Sequence, residues 1–161
     1  MVEPRWLDES EARAWRGYRR LRTLLDLEIS RDLARDSGLS DPDYDVLSNL
    51  SETESCRLRL TELATHMRWS PSRTSHHIAR MEQRGLVRRE ETPDDGRGAV
   101  VVLTDAGWKA IEAAAPLHVE SVRRHLIDVL SPKQIAALGD IAESVIAHFA
   151  ATESARRGRN G

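Results

Sequence analysis

Residues 60–107 read LTELATHMRWSPSRTSHHIARMEQRGLVRREETPDDGRGAVVVLTDAG, and this stretch decides the fold. Two short helices come first, joined by a tight turn. Thr61 is placed to cap the first, with Leu63, Ala64 and Met67 turned inward. Ser70 caps the second, where Pro71 at the first helical position needs no amide partner. Thr74, Ile78 and Met81 recur at the helical period and face the core, and Gly85 ends the helix. Leu86 and Val87 then begin one strand of a ribbon, and Ala99 to Leu103 form the other. Between them Pro93-Asp94-Asp95-Gly96 is a turn signature. Helix, turn, helix and ribbon in this order describe a winged helix-turn-helix. Such a unit seats a helix in the DNA major groove and a loop on the flanking backbone or minor groove.

Working outward, residues 8–36 read as one long helix, with Tyr18, Leu21, Leu25, Ile29 and Leu33 at spacings of three and four. Leu24 and Leu27 widen that stripe, which suggests burial in a dimer or packing on the chain's own domain. Gly38 stops the helix, and Ser40 with Asp43 forms a capping box for the next, where Tyr44, Leu47 and Leu50 face inward. Residues 51–57 form a polar loop, and Leu58 to Leu60 a short strand. After the ribbon, Thr104 caps a helix containing Trp108, Ile111, Val119, Val122 and Leu126, which Pro116 should kink or break. Ser131 and Gln134 open the last helix, whose stripe is Ile135, Leu138, Ile141, Val145 and Phe149. The fold class is therefore mainly α with a small β-ribbon. A single domain spans residues 1–161, with a DNA-binding lobe over 41–107 and a disordered tail over 154–161.

Composition fits that outline. A chain of 161 residues, 40% hydrophobic and 31% charged, can bury a core and stay soluble. One cysteine excludes a disulfide framework within the chain. No apolar run approaches the roughly 18 residues of a membrane span. The acidic N-terminus lacks the apolar core of a signal peptide, so the expected location is the cytoplasm. The net charge of −2 is unevenly spread: −5 over residues 1–56, +3 over 57–104 and zero over 105–161. Positive charge collects where nucleic acid would bind.

Residues of the second helix that lie off its core stripe include Ser72, Arg73, Ser75, His76, His77 and Arg80, all able to hydrogen-bond. Arg73 suits a bidentate contact to guanine, and Ser75 a base edge or a phosphate. Ser70, Ser72 and the free amides of the first turn suit phosphate oxygens. An ordinary solvated face would look the same in isolation; its place after a turn and before a ribbon favours double-stranded DNA. At the ribbon tip Arg97 is placed to enter a narrow minor groove, with Asp95 bracing the loop. Arg88 and Arg89 suit phosphate clamps or scaffold salt bridges.

Three pieces carry a resemblance to a known family: LTELA at 60–64, RMEQRGLVRR at 80–89, and DGRGAVVVLTDAG at 95–107. The last matches a wing pattern of Asp-x-Arg followed by Leu-Thr-x-x-Gly. With the flanking helices, nearly the whole chain resembles the multiple-antibiotic-resistance regulator (MarR) family. The resemblance implies a transcriptional regulator, typically a repressor, and a homodimer joined through the terminal helices, here 8–36 and 132–150. It further implies a palindromic operator and release by a small phenolic or anionic ligand. In the family the ligand cleft lies between the dimer helices and the DNA-binding lobe. Trp15, Tyr18, Arg19 and Arg22 are the candidates here, since aromatic faces beside cations suit an aromatic acid, though rings at such positions also serve plain packing.

Some members of the family sense peroxide through a cysteine early in the first helix, where this chain has none. Cys56, beside Arg57, leaves a redox-responsive regulator as an alternative. His76 and His77 are adjacent and diverge, so no metal site or cofactor is expected. A small enzyme would need a phosphate loop or a nucleophile with its base, and neither motif is present. A winged helix that binds protein is the remaining alternative.

Overall fold

Three antiparallel strands in the order β1-β3-β2 replace the expected two-stranded ribbon: β1 (Arg57–Arg59), β2 (Val87–Glu91) and β3 (Ala99–Leu103). The short strand before the first helix of the motif pairs with β3, Leu58 opposite Val101, and β2 flanks β3 on the other side, Arg89 also opposite Val101. The division of labour follows the sequence. AVVVL is the central strand and its last three residues are buried, whereas the edge strands RLR and VRREE carry the charges that discourage further pairing. Residues 3–91 and 98–157 are described in this computed structural model, so the turn with Asp95 and Arg97 lies outside the described residues.

The chain divides into two compact units, Met1–Ser121 and Val122–Gly161. In the first, α1 (Glu9–Ser37) starts on a capping box in which Asp8 accepts from the Glu11 amide and Glu11 reaches back to the Asp8 amide. It ends at Gly38, whose φ of 68° lies in the left-handed region that a Cβ disfavours. Helix α2 (Asp41–Ser51) opens on the expected box: the Ser40 amide donates to Asp43 Oδ2 at 3.0 Å and the Asp43 amide to Ser40 Oγ at 3.3 Å. Leu33, Leu39, Val46, Leu47 and Leu50 from this corner join Leu63, Ile78, Met81, Val87, Val101 and Ile111 in one core. Most of these are fully enclosed.

Helix α3 (Leu60–Met67) starts earlier than its Thr61 suggests. Arg59 is the capping position, and Glu62 returns to the Arg59 amide at 2.9 Å. The turn that follows is left-handed at Arg68, φ 51°, a conformation that costs a non-glycine residue roughly 1 kcal/mol. Amides in this turn close back on α3, Trp69 to the Ala64 carbonyl at 3.0 Å. Helix α4 (Pro71–Gln83) begins as expected, with Ser70 Oγ accepting the Arg73 amide at 3.2 Å. Gly85, φ 73°, reverses the chain into β2.

The Leu-Thr-x-x-Gly sequence forms a joint. Thr104 Oγ1 accepts the Gly107 amide at 3.0 Å, capping α5 (Asp105–His125). The same hydroxyl sits 2.6 Å from the Gly85 carbonyl and 2.9 Å from that of Leu86. At Gly107 any Cβ would run into the Leu86 carbonyl oxygen, so no other residue permits this approach. Pro116 does not break α5. It is exposed, so the carbonyl it deprives of a donor can turn to water. Leu126 falls just past the end of the helix.

The second unit holds a 3-10 turn (Ile127–Val129), an Arg123–Asp128 ion pair at 2.6 Å, and α6 (Pro132–Arg157). The Ser131–Gln134 box caps α6 as expected. The helix continues through Arg157, so the expected tail is helical from 154 to 157, and 158–161 lie outside the described residues. Among the described side chains of α6 none is buried, and Ile135, Leu138, Ile141, Val145, Ile146 and Phe149 are exposed. By length and composition its segment Pro132–Ala155 is apolar enough to cross a membrane, contrary to the sequence expectation. Asp140 and Glu143 interrupt that segment near its middle, where hydrocarbon would penalise them.

Candidate nucleic-acid interface

Helix α4 is two-sided. Thr74, His77, Ile78 and Met81 are buried, while Ser72, Arg73, His76 and Arg80 are exposed on the opposite side at helical spacing. Ser70 is exposed at the N-terminus and already committed to the Arg73 amide; Ser75 is half-buried, and its carbonyl accepts Arg89 Nη2 at 2.7 Å. Of the expected DNA-facing residues in the described region, His77 departs from the expectation. Its spacing from Thr74 (i+3) and to Met81 (i+4) completes the buried stripe, and the imidazole is withdrawn from solvent.

Burial of that imidazole is compensated by a polar cluster. Arg80 Nη2 lies 2.9 Å from His77 Nδ1; a guanidinium only donates, so Nδ1 accepts and the proton sits on Nε2. Nε2 faces Asp43 Oδ1 at 3.1 Å without the alignment of a hydrogen bond, so the attraction is chiefly electrostatic. Burial pushes the His77 pKa down; Asp43 opposes this, and the Arg80 and Arg73 charges reinforce it, leaving the ring below its ordinary value. Burial alone would push Asp43 up, but hydrogen bonds from Arg84 and Ser40 outweigh it and hold the carboxyl below the usual range. Arg84 Nη1 meets Asp43 Oδ2 at 2.6 Å, and its Nη2 reaches the Gly38 carbonyl at 3.2 Å. One carboxylate thus caps α2 and faces both His77, in the middle of α4, and Arg84, at its end.

The ribbon is braced against the same helix. Arg89 donates its amide to Glu82 Oε1 at 2.8 Å, and Arg88 pairs with Glu90 at 2.7 Å, while Arg57 also reaches Glu90. Arg88 and Arg89 therefore act as scaffold in this structure. Sequence reasoning passed over Trp69. Its ring lies under the Arg73 guanidinium, 4.3 Å from centroid to Cζ, and edge-on to His77 at 5.2 Å.

The four candidate ligand residues all lie on α1. Trp15 and Tyr18 are exposed and stacked, centroids 5.9 Å apart. Arg19 lines an open groove with Arg16, Arg20, Thr23 and Leu24; Arg22 lines another with Asp26, Leu27 and Ser30. One helix face cannot enclose a ligand by itself. Cys56 is half-buried against the core with φ 51°, and its carbonyl accepts the Leu103 amide at 3.0 Å, extending the β1–β3 ladder.

This arrangement matches known proteins closely. The family model described as MarR family matches residues 37–98. Transcriptional regulator HosA of Escherichia coli O111:H- is 31% identical over 120 residues, spanning 74% of this chain and 86% of its own. The crystal structure of AbsC, a MarR family transcriptional regulator from Streptomyces coelicolor, superposes with a TM-score of 0.85 at 42% identity, covering 91% of this chain and 98% of that one. Sco3205, a MarR family regulator from the same organism solved in complex with DNA, gives 0.84 at 43% identity, covering 89% and 90%. With its two-sided α4, its Thr104–Gly107 joint and these relatives, the chain belongs to the MarR family of transcriptional regulators.

Proposed function

We propose that the protein is a homodimeric DNA-binding repressor. Each protomer sets α4 in the major groove of one half of a palindromic operator, with half-sites roughly 34 Å apart. The observation that carries this reading is the exposed face of α4, where Ser72, Arg73, His76 and Arg80 stand together above a buried stripe. The excess positive charge of residues 57–104 supports it, as does the relative Sco3205, which is described in complex with DNA. Arg73 reads a base edge, Ser70, Ser72 and Ser75 serve phosphates or base edges, and Arg80 and His76 flank them. Arg97, in the segment joining β2 to β3, reaches the flanking minor groove, and Asp95 restrains that segment.

Dimerisation is supported by the exposed apolar side chains of α1, among them Leu21, Leu24 and Leu27, and by those of α6. Apolar surface of that extent on a protein outside lipid marks an association site. Release follows when an aromatic acid or phenol binds near Trp15, Tyr18, Arg19 and Arg22 and favours the arrangement that does not fit DNA. Tryptophan fluorescence titrated with a panel of such acids checks the last step; an unchanged signal and unchanged operator affinity across the panel would remove it.

Selection of random duplex DNA on the purified protein, followed by sequencing, tests the whole reading. A two-fold symmetric site should be enriched, and its affinity should fall steeply with added salt as phosphate contacts release counterions. Recovery of no preferred sequence would overturn the proposal.

A further inference from the structure

Arg73 is held at both ends. Its amide is tied to the Ser70 hydroxyl at 3.2 Å, and its guanidinium carbon lies over the Trp69 ring at 4.3 Å. The ring is itself in contact with the lobe. Trp69 is half-buried, packs on the core and meets His77 edge to face, 5.2 Å between centroids at an interplanar angle of 78°. His77 is in turn held by Arg80 at Nδ1 and faces Asp43 at Nε2. A chain of contacts therefore runs from the Asp43 cap of α2, through a buried imidazole and an indole, to the exposed arginine of α4.

We propose that Trp69 is a positioning residue for sequence recognition. Its ring fixes the Arg73 side chain so that the guanidinium is offered to base edges in a defined orientation. The inference rests on the reading of Arg73 as the base-contacting arginine. An arginine free to sweep can reach phosphates and base edges alike, and ordering it on DNA costs conformational entropy. One already stacked on a fixed ring has lost that freedom before DNA arrives. The stack uses a face of the guanidinium, whereas its donors point outward in the plane, so the fork that pairs with guanine stays available.

The test compares affinity for the selected operator and for a scrambled duplex across wild type, Trp69→Leu, Trp69→Phe, Arg73→Ala and the Trp69→Leu/Arg73→Ala double variant. Leucine keeps apolar bulk on the core and removes the π face; phenylalanine keeps a π face. Trp69→Leu should lower the operator-to-scrambled ratio by about three- to tenfold while affinity for scrambled DNA holds, and Trp69→Phe should stay within about twofold of wild type. On the Arg73→Ala background, Trp69→Leu should add nothing.

Losses that simply add would mean that Trp69 acts independently of Arg73. An equal fall on both duplexes would reduce Trp69 to packing. A raised ratio would mean that the stack parks Arg73 away from DNA. Each of these overturns the proposal. A wild-type ratio in Arg73→Ala is the separate failure of the base-reading role, and it takes the proposal with it. Should Trp69→Leu not fold, proton resonances of the Arg73 side chain decide in the free protein. Ring-current shifts upfield in wild type, retained in Trp69→Phe, support the stack, and their absence overturns it.

Discussion

Helices α4 and α6 both carry an apolar stripe at helical spacing, yet the two stripes meet different fates. In the 13 residues of α4, Thr74, His77, Ile78 and Met81 are buried by α2, α3 and the sheet. Among the described side chains of α6 none is buried, and six large apolar ones stand in the open. An apolar stripe states that a face must be covered; it does not state by what. For α4 the cover is the chain's own lobe. For α6 the proposed cover is a second copy, and the difference can be attacked from either side.

The largest effect should come from α6. Ile141→Asp would place an unpaired carboxylate in a symmetric interface twice over, at about 3–5 kcal/mol per buried charge. Sedimentation at micromolar concentration should then show monomer, with the circular dichroism of the lobe retained. A variant that stays dimeric would show that this stripe is not the interface. Leu47→Ala, in the enclosed core beneath α4, should cost about 2–5 kcal/mol of unfolding free energy. Its destabilisation should not depend on protein concentration, whereas that of Ile141→Asp should. If both respond to dilution alike, the lobe and the association surface are not separable.

A smaller effect is expected at the polar clasp of the lobe. Asp43→Asn keeps the shape but removes the charge that Arg84 and His77 face, and should cost about 1–2 kcal/mol in denaturant unfolding. An unchanged midpoint would mean that Arg84 finds an equal partner elsewhere. The smallest is a pH effect. His77 is held below its ordinary 6.5, so the unfolded chain takes up the proton first. Stability should be full above that value and decline as pH falls from it to the lowered folded pKa, where the decline levels off. Asp43, held below 3.8, contributes stability that is lost only as pH falls through its own folded value. Melting temperature followed between about pH 7.5 and pH 5 should slope in wild type and flatten in His77→Gln. An identical slope in the variant would assign the titration to another group.

Local signals were the legible ones. The boxes at Ser40–Asp43 and Ser131–Gln134, the Ser70-Pro71 start and the stops at Gly38 and Gly85 depend on neighbours within four residues, and each formed where the sequence placed it. Thr61 misled because a good capping residue happens to follow the real one; the better clue was Glu62, three residues after Arg59. His77 was misread because imidazole suits DNA, although its spacing to Thr74 and Met81 put it on the inner face. The Arg73–Trp69 stack, the pairing of β1 with β3 and the reach of Arg84 to Asp43 join residues brought near by the turn or far apart in the chain. No periodicity records such contacts. Trp15, Tyr18, Arg19 and Arg22 lie on two turns of one helix and offer a single wall, so a cleft built on them needs a second wall that no local signal names.

The Thr104–Gly107 joint has a mechanical consequence. The carbonyls of Gly85 and Leu86, where the chain leaves α4, are the same groups against which the first turn of α5 is set. With no side chain to spare at Gly107 and a hydroxyl clamped on both oxygens, this junction has no slack. Any tilt of α5 at its start must carry the exit of α4 along with it. A change of angle between the two helices has to be absorbed elsewhere, by bending within α5 or by rotation of the whole lobe.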